Sequence, residues 1–211
     1  MVNERADYYS KFYSELQRTG IQGWGNSLID KLIEKSIKRT EFSDILELGA
    51  ASGEHLIFVP KNPPWQKYVC LDVAPGKSNP DLYGELTEGN PPFYNLSFVQ
   101  ARVEEIPFQD ESFDLVVSTC LLAHVREPEQ VLREMRRVTK NNGQIVIGLL
   151  TDPGILNRLV KFVITYPKMK KMGIETPRLE YAREHINAVG NLVELIKKIF
   201  EKDKLQLNFF I

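Results

Sequence analysis

Five short, mostly apolar runs recur along the middle of the chain: DILELGA, KYVCLDV, LSFVQAR, FDLVVST and GQIVIGLL. Each is too short for a buried helix and rich in Val, Ile, Leu or Phe, so each reads as a strand covered on both faces. Between the last two, EPEQVLREMRRVTKNNG sets Val131, Leu132, Met135 and Val138 on one helical face and offers a stop at Asn142 and Gly143. Strands interleaved with helices call for an α/β fold, a mostly parallel central sheet with helices on both faces.

The 211 residues suit a single domain. Residues 1–40 read as an N-terminal helical cap, 44–150 as the core, 151–190 as an insertion lying over the substrate side, and 191–211 as a final helix and strand. In the cap, Tyr8, Tyr9, Phe12, Tyr13 and Leu16 recur at helical spacing. A second helix carries Leu28, Ile29, Leu32, Ile33 and Ile37 on its inner face. Residues 74–97 hold four prolines and three glycines, which predicts a loop with at most a short helix. The insertion reads as a short amphipathic helix and a basic loop; LEYAREHINAVGNLVELIKKIFEK reads as one long helix and KLQLNFFI as a closing strand.

A net charge of -1 supplies no general attraction to polyanions, so no nucleic-acid partner is expected. Cys70 and Cys120 lie in apolar runs without metal-ligand spacing, which predicts reduced thiols and no metal site. The N-terminus lacks a secretory pattern and no apolar run reaches the roughly 20 residues of a membrane span, so a cytoplasmic protein is expected.

The stretch ILELGAASGEHL joins a strand to a turn of small residues. Gly49 and Gly53 allow backbone amides to approach a ligand ahead of a helix, and Asp72 ends the next strand where it can accept hydrogen bonds from a ribose diol. A dinucleotide fingerprint fails here, because Ala51 and Glu54 stand where glycines are required, and no G-K-[ST] phosphate loop exists. Glu47, acidic within the strand, can order the loop amides and attract a cationic amino-acid group; beside a pyrophosphate it would repel.

The run Glu47-Leu48-Gly49-Ala50-Ala51-Ser52-Gly53 resembles the first motif of class I S-adenosylmethionine-dependent methyltransferases, with Ala51 replacing the usual middle glycine. EEIPFQDESFDLVVSTCLLAHVREPEQVLREMRRVTKNNGQIVI resembles the small-molecule and quinone-type members of that family. The resemblance implies a Rossmann-like, seven-stranded sheet with a further strand after KLQLNFFI, where this sequence ends, so either the sheet is one edge strand short or the sequence is truncated. It implies that S-adenosyl-L-methionine lies along Glu47, Gly49, Ala51 and Gly53, with Asp72 and Val73 at the ribose and its surroundings. Val103 and Glu104, beside Arg102, would lie by the adenine, and Thr119 and Leu121 by the methionine moiety. Arg102 departs from the family's usual acid at the adenine amino group, so that contact comes from backbone or is lost.

On the acceptor side, His124 follows the fourth strand and is the candidate general base; a packed or capping role is the competing reading. His185, with Tyr181 four residues before it, Tyr8 and the glycine-flanked Trp24 are candidate substrate contacts. The stripe Ile155, Leu159, Val160, Val163 and Ile164, with Lys168, Lys170 and Lys171 nearby, reads first as a lid packed on the domain and second as a weak membrane-surface contact through 155–171. The expected activity is methyl transfer to a small-molecule, sugar or lipid-linked acceptor; the alternative is a non-catalytic scaffold or cofactor-sensing module of the same fold.

Overall fold

The computed structural model describes residues 28–35, 37, 42–59, 65–88, 93, 95–149, 161–171 and 173–208. The aromatic helix containing Tyr8, the loop containing Trp24, and Ile155, Leu159 and Val160 lie outside the described residues.

Helix α1 covers 28–35. Then come β1 (Asp44–Leu48), a 3₁₀ turn (Glu54–Phe58), β2 (Lys67–Asp72), α2 (Pro80–Thr87), β3 (Leu96–Gln100) and β4 (Phe113–Thr119). After β4 the chain forms a short 3₁₀ turn (Leu121–Ala123), α3 (Pro128–Val138) and β5 (Thr139–Gly148). A π-turn (Lys161–Thr165) leads into α4 (Tyr166–Lys171), and α5 (Pro177–Glu184) and α6 (Val189–Ile199) complete the order. Helices α2, α3 and α5 each open on a proline, where the missing N–H costs no helical hydrogen bond.

Among the described residues the strands form one five-stranded sheet in the order β3-β2-β1-β4-β5, every pair parallel. Alternate side chains feed two cores. One joins Leu46, Leu48, Val69, Leu71 and Val116 to the inner faces of α3 and α6; the other joins Ile45, Tyr68, Cys70, Leu115 and Val117 to Ile33, Ile37 and Leu86. The strand order reverses between β1 and β4, so the crevice at their carboxyl ends is the place where such sheets bind ligands.

Several local expectations differ from what the fold adopts. Helix α3 ends at Val138 rather than at Asn142 and Gly143, because Thr139 Oγ1 donates to the Met135 carbonyl at 2.6 Å and Thr139 already pairs with Phe113. Gly143 instead serves an irregularity in β5, where the register jumps from Thr139 to Gln144; a Cβ there would sit 2.7 Å from Thr139 Cγ2. The basic loop is helical: Met169 is buried in α4, which stops at Gly173 with φ +92°.

The single long helix is two, α5 and α6, broken at residues 185–188. The break feeds the turn after β4. Both Ile186 N and Asn187 N donate to the Ala123 carbonyl, and Asn187 Nδ2 donates to the carbonyls of Leu122 at 2.8 Å and Val125 at 2.6 Å. The closing strand is not formed over 204–208, where Leu205 and Leu207 are exposed; 209–211 lie outside the described residues. Leu28, expected inward, is exposed, whereas Ile33 and Ile37 are buried.

Candidate functional site

The loop after β1 is a succession of left-handed residues: Gly49 at φ +70°, Ala51 at +51° and Gly53 at +87°. Each amide in it has an acceptor. Gly49 N and Ala50 N donate to the Leu71 carbonyl, Ala51 N to Asp72 Oδ2 at 3.0 Å, Ser52 N to Glu54 Oε2 at 2.9 Å and Gly53 N to the Ala50 carbonyl. The loop is therefore ordered by β2 and Glu54 rather than by Glu47. A Cβ on Gly49 would lie 2.9 Å from Leu121 Cδ1, and one on Gly53 2.6 Å from Leu86 Cδ1. Close approach of the β4 turn and α2, together with positive φ, explains both glycines. Ala51 takes the same handedness as an L-residue, at a cost of about 1 kcal/mol.

The loop leads into a five-residue 3₁₀ turn, not the α-helix expected, so the turn offers little aligned dipole. A side-chain network takes its place. Ser52 and Ser78 hydroxyls lie 2.7 Å apart, Ser78 Oγ donates to Glu54 Oε1 at 2.9 Å, and Asn79 N donates to Ser52 Oγ at 2.7 Å. Gly76 N donates to the Ala51 carbonyl, closing the segment after β2 onto the loop.

Asp72 faces this junction. Its Oδ2 accepts from Ala51 N and its Oδ1 from Ala74 N at 2.8 Å, which leaves lone pairs on both oxygens for a diol. Val73 beside it is 58% exposed, an uncovered apolar surface at the crevice edge. Val103 is buried, while Arg102 points outward and pairs with Glu104 at 3.3 Å. This segment is anchored from α3: Ile106 N donates to Glu134, and Arg137 donates to the carbonyls of Ile106 and Phe108. Hydrogen bonding to Arg137 holds the Glu134 carboxyl below its ordinary range.

Beneath the loop sits a buried ionic cluster that the sequence reading missed. Glu47, 1% exposed, accepts from the Tyr68 hydroxyl at 2.5 Å and lies 3.4 Å from His55 Nδ1. The other ring nitrogen, Nε2, lies 3.1 Å from Glu34 of α1. Burial pushes the His55 imidazole down, but the Glu47 charge, hydrogen bonds to Glu34 and Glu47 and nearby Asp30 outweigh it and raise it to about 10. Asp30 is raised to about 6, chiefly by burial, with His55 opposing and Glu47, Glu34 and Glu54 adding. Sequence position alone gave little signal: His55 follows the glycine loop and precedes the apolar run 56–58, yet Ile57 in that run is 66% exposed.

Across the crevice, Thr119 ends β4, Cys120 turns the chain at φ +57°, and Leu121 packs on the glycine loop. His124 ends the turn, its ring 4.7 Å from that of His185, which in turn stacks on Tyr181 at 4.2 Å. The fold thus brings together three residues that sequence spacing left 61 positions apart or on a single helix face. Cys70 is buried and Cys120 half-buried, and neither forms a disulfide among the described residues.

This strand order, with its glycine loop and acid at the switch point, is the arrangement implied by the resemblance to class I S-adenosylmethionine-dependent methyltransferases. Residues 46–147 match the family model described as a methyltransferase domain. Among curated relatives, the ubiquinone/menaquinone biosynthesis C-methyltransferase UbiE of Vibrio cholerae is 36% identical over 83 residues, 37% of this chain and 32% of that protein. The chain thus spans about a third of the length of such relatives. Among solved structures, a SAM-dependent methyltransferase from Thermotoga maritima superposes with a TM-score of 0.55 at 18% identity, covering 94% of this chain and 77% of that one. The [4+2]-cyclase SpnF superposes with a TM-score of 0.59 at 16% identity, covering 87% and 59%. These structural likenesses carry the fold.

Proposed function

We propose that this protein transfers the methyl group of S-adenosylmethionine to a small-molecule or lipid-linked acceptor, leaving S-adenosylhomocysteine. The observation that carries the reading is the meeting of Gly49 and Leu121 at the switch point, with Asp72 on one side and the His124, His185 and Tyr181 rings beyond the β4 turn.

The residues fit the cofactor's parts. Gly49 and Gly53 keep the loop free of side chains, Ala51 adds only a methyl, and Asp72 retains acceptor capacity for a ribose diol. Val73 offers an exposed apolar surface toward the adenine side, with Val103 and Glu104 beyond it. Thr119 and Leu121 border the methionine moiety, and Glu47 acts as a negative charge from beneath the loop. When bound, the cofactor supplies an electrophilic methyl on a sulfonium. The protein's part is alignment and exclusion of water, with His124 as base toward an acidic acceptor group and His185 orienting it. A quinone-like ring acceptor suits the stacked Tyr181 and His185 rings and agrees with the ubiquinone/menaquinone biosynthesis named for the Vibrio relative.

A second observation concerns where the acceptor comes from. Phe162 and Val163 are 60% and 59% exposed, Ile164 is also exposed, and Lys170 and Lys171 lie exposed on the following helix. This patch favours weak contact of 162–171 with an anionic lipid surface. Among the described residues, no helix is long and apolar enough to cross a membrane.

Calorimetry tests the first step: S-adenosylhomocysteine is expected to bind, and no binding at millimolar ligand would return the protein to the scaffold reading. Labelled methyl transfer to a panel of phenols, quinols and sugars then identifies the acceptor, and His124→Ala is expected to lower turnover of hydroxylic acceptors about a hundredfold or more. Co-sedimentation with anionic but not zwitterionic vesicles, lost in Lys170→Glu/Lys171→Glu, tests the surface contact.

A further inference from the structure

The buried cluster under the glycine loop has no role in ordering that loop, because every loop amide from Gly49 to Gly53 has another acceptor. Its parts come from three places in the chain: Glu47 from β1, His55 from the turn after the loop, and Glu34 from α1. Tyr68 from β2 donates to Glu47, and Asp30 and Glu54 are the further carboxylates that act on the group. A lone carboxylate this deeply buried would not stay ionised; it would take up a proton. Helix α1 also packs over the end of the sheet, since a Cβ on Gly148 would lie 2.6 Å from Ile33 Cδ1, and Gly148 receives Cys120 N on its carbonyl.

We propose that His55 is a positioning residue whose imidazolium holds the Glu47 carboxylate as a fixed negative charge beneath the cofactor loop and, through Glu34, locks α1 onto that loop. The first half rests on the reading of Glu47 as a cofactor-side charge; the second stands independently of it. The bridge makes α1 part of the cofactor site. It also accounts for a buried histidine with a carboxylate near each ring nitrogen.

The chemistry separates this from a merely structural role. S-adenosylhomocysteine carries an α-ammonium group and 5′-methylthioadenosine does not, while both carry the same nucleoside. Gln in place of His55 keeps hydrogen-bonding capacity but removes the cation that compensates the buried Glu47 carboxylate. In His55→Gln, calorimetry is expected to show S-adenosylhomocysteine weakened about tenfold, the scale of one charge-assisted contact. Affinity for 5′-methylthioadenosine is expected to be unchanged. Equal weakening of both ligands, or of neither, overturns the charge-holding role.

Hydrogen exchange reads the docking half. Amides of 28–35 are expected to exchange faster in both His55→Gln and Glu34→Gln, and unchanged exchange in both overturns the lock. Glu34 is only partly buried, so Glu34→Gln keeps this arm decisive if His55→Gln fails to fold. Glu47→Gln separates the proposal from the reading beneath it. If that variant retains full S-adenosylhomocysteine affinity, the cofactor role of Glu47 is wrong and the His55 link is judged by exchange alone.

Discussion

Gly49→Ala tests the geometry of the switch point most directly. Two costs add. At φ +70° an L-residue is disfavoured by about 1 kcal/mol relative to glycine. The new methyl would also meet Leu121 at 2.9 Å from Cδ1, 3.2 Å from Cβ and 3.4 Å from Cγ, so no single rotamer change of Leu121 clears it. Overpacking of this kind costs about 1–3 kcal/mol, giving roughly 2–4 kcal/mol in all. For a chain of this length that lowers the thermal midpoint by roughly 10 °C. Thermal and urea unfolding of Gly49→Ala, Leu121→Ala and the double variant measure the two parts. Removing Cγ and Cδ1 of Leu121 relieves most of the clash but none of the backbone strain. The substitution at Gly49 should therefore cost about 1–2 kcal/mol less in the Leu121→Ala background. Equal costs in both backgrounds, within about 0.5 kcal/mol, would refute the claimed contact.

Ala51→Gly relieves left-handed strain without removing a packed side chain, and is expected to be neutral or to raise stability by up to about 1 kcal/mol in urea unfolding. A clear loss would mean that the Ala51 methyl is packed. Asn187→Ala removes donors to the Leu122 and Val125 carbonyls and should cost about 1–3 kcal/mol; it should also lower kcat/KM for the acceptor more than cofactor affinity, because the break carrying His185 loosens. The His55 imidazole is raised from 6.5 to about 10, so the stability it contributes is fully present below pH 6.5 and is lost as pH climbs toward 10. Asp30, raised from 3.8 to about 6 by burial, works in the same direction at lower pH, its ionisation costing stability between those values. Urea midpoints from pH 6.5 to 10 should fall in the native protein and fall less in His55→Gln; parallel profiles would refute the assignment.

Much of the architecture could be read from local pattern. Four of the five strands lie within their apolar runs and β4 coincides with FDLVVST, because a strand buried on both faces leaves an unbroken hydrophobic signature; β5 begins at Thr139, ahead of GQIVIGLL. The loop glycines were legible for a similar reason, since positive φ beside close-packed neighbours leaves little alternative to glycine. Errors gathered where a partner distant in sequence decides the backbone. Periodicity alone continues the helix through residues 185–188; the carbonyls of Leu122, Ala123 and Val125 end it by demanding donors. The alternation in KLQLNFFI suggests a strand, yet a strand needs a neighbour, and no described strand pairs with 204–208.

The candidate site divides along the same line. Residue types and spacing alone determined the parallel α/β core, the small-residue loop and the acid at the end of β2, since these follow from backbone needs expressed within one element and its turn. The tertiary structure decided which distant groups share a space. It set Leu121 against Gly49, brought His124 to the His185 ring that stacks on Tyr181, and closed Glu34 and Glu47 around His55. Buried charge explains the last of these. An imidazolium and its carboxylates leave no periodic mark in a sequence, and each is stable inside the protein only once the fold has brought its partners within ionic reach.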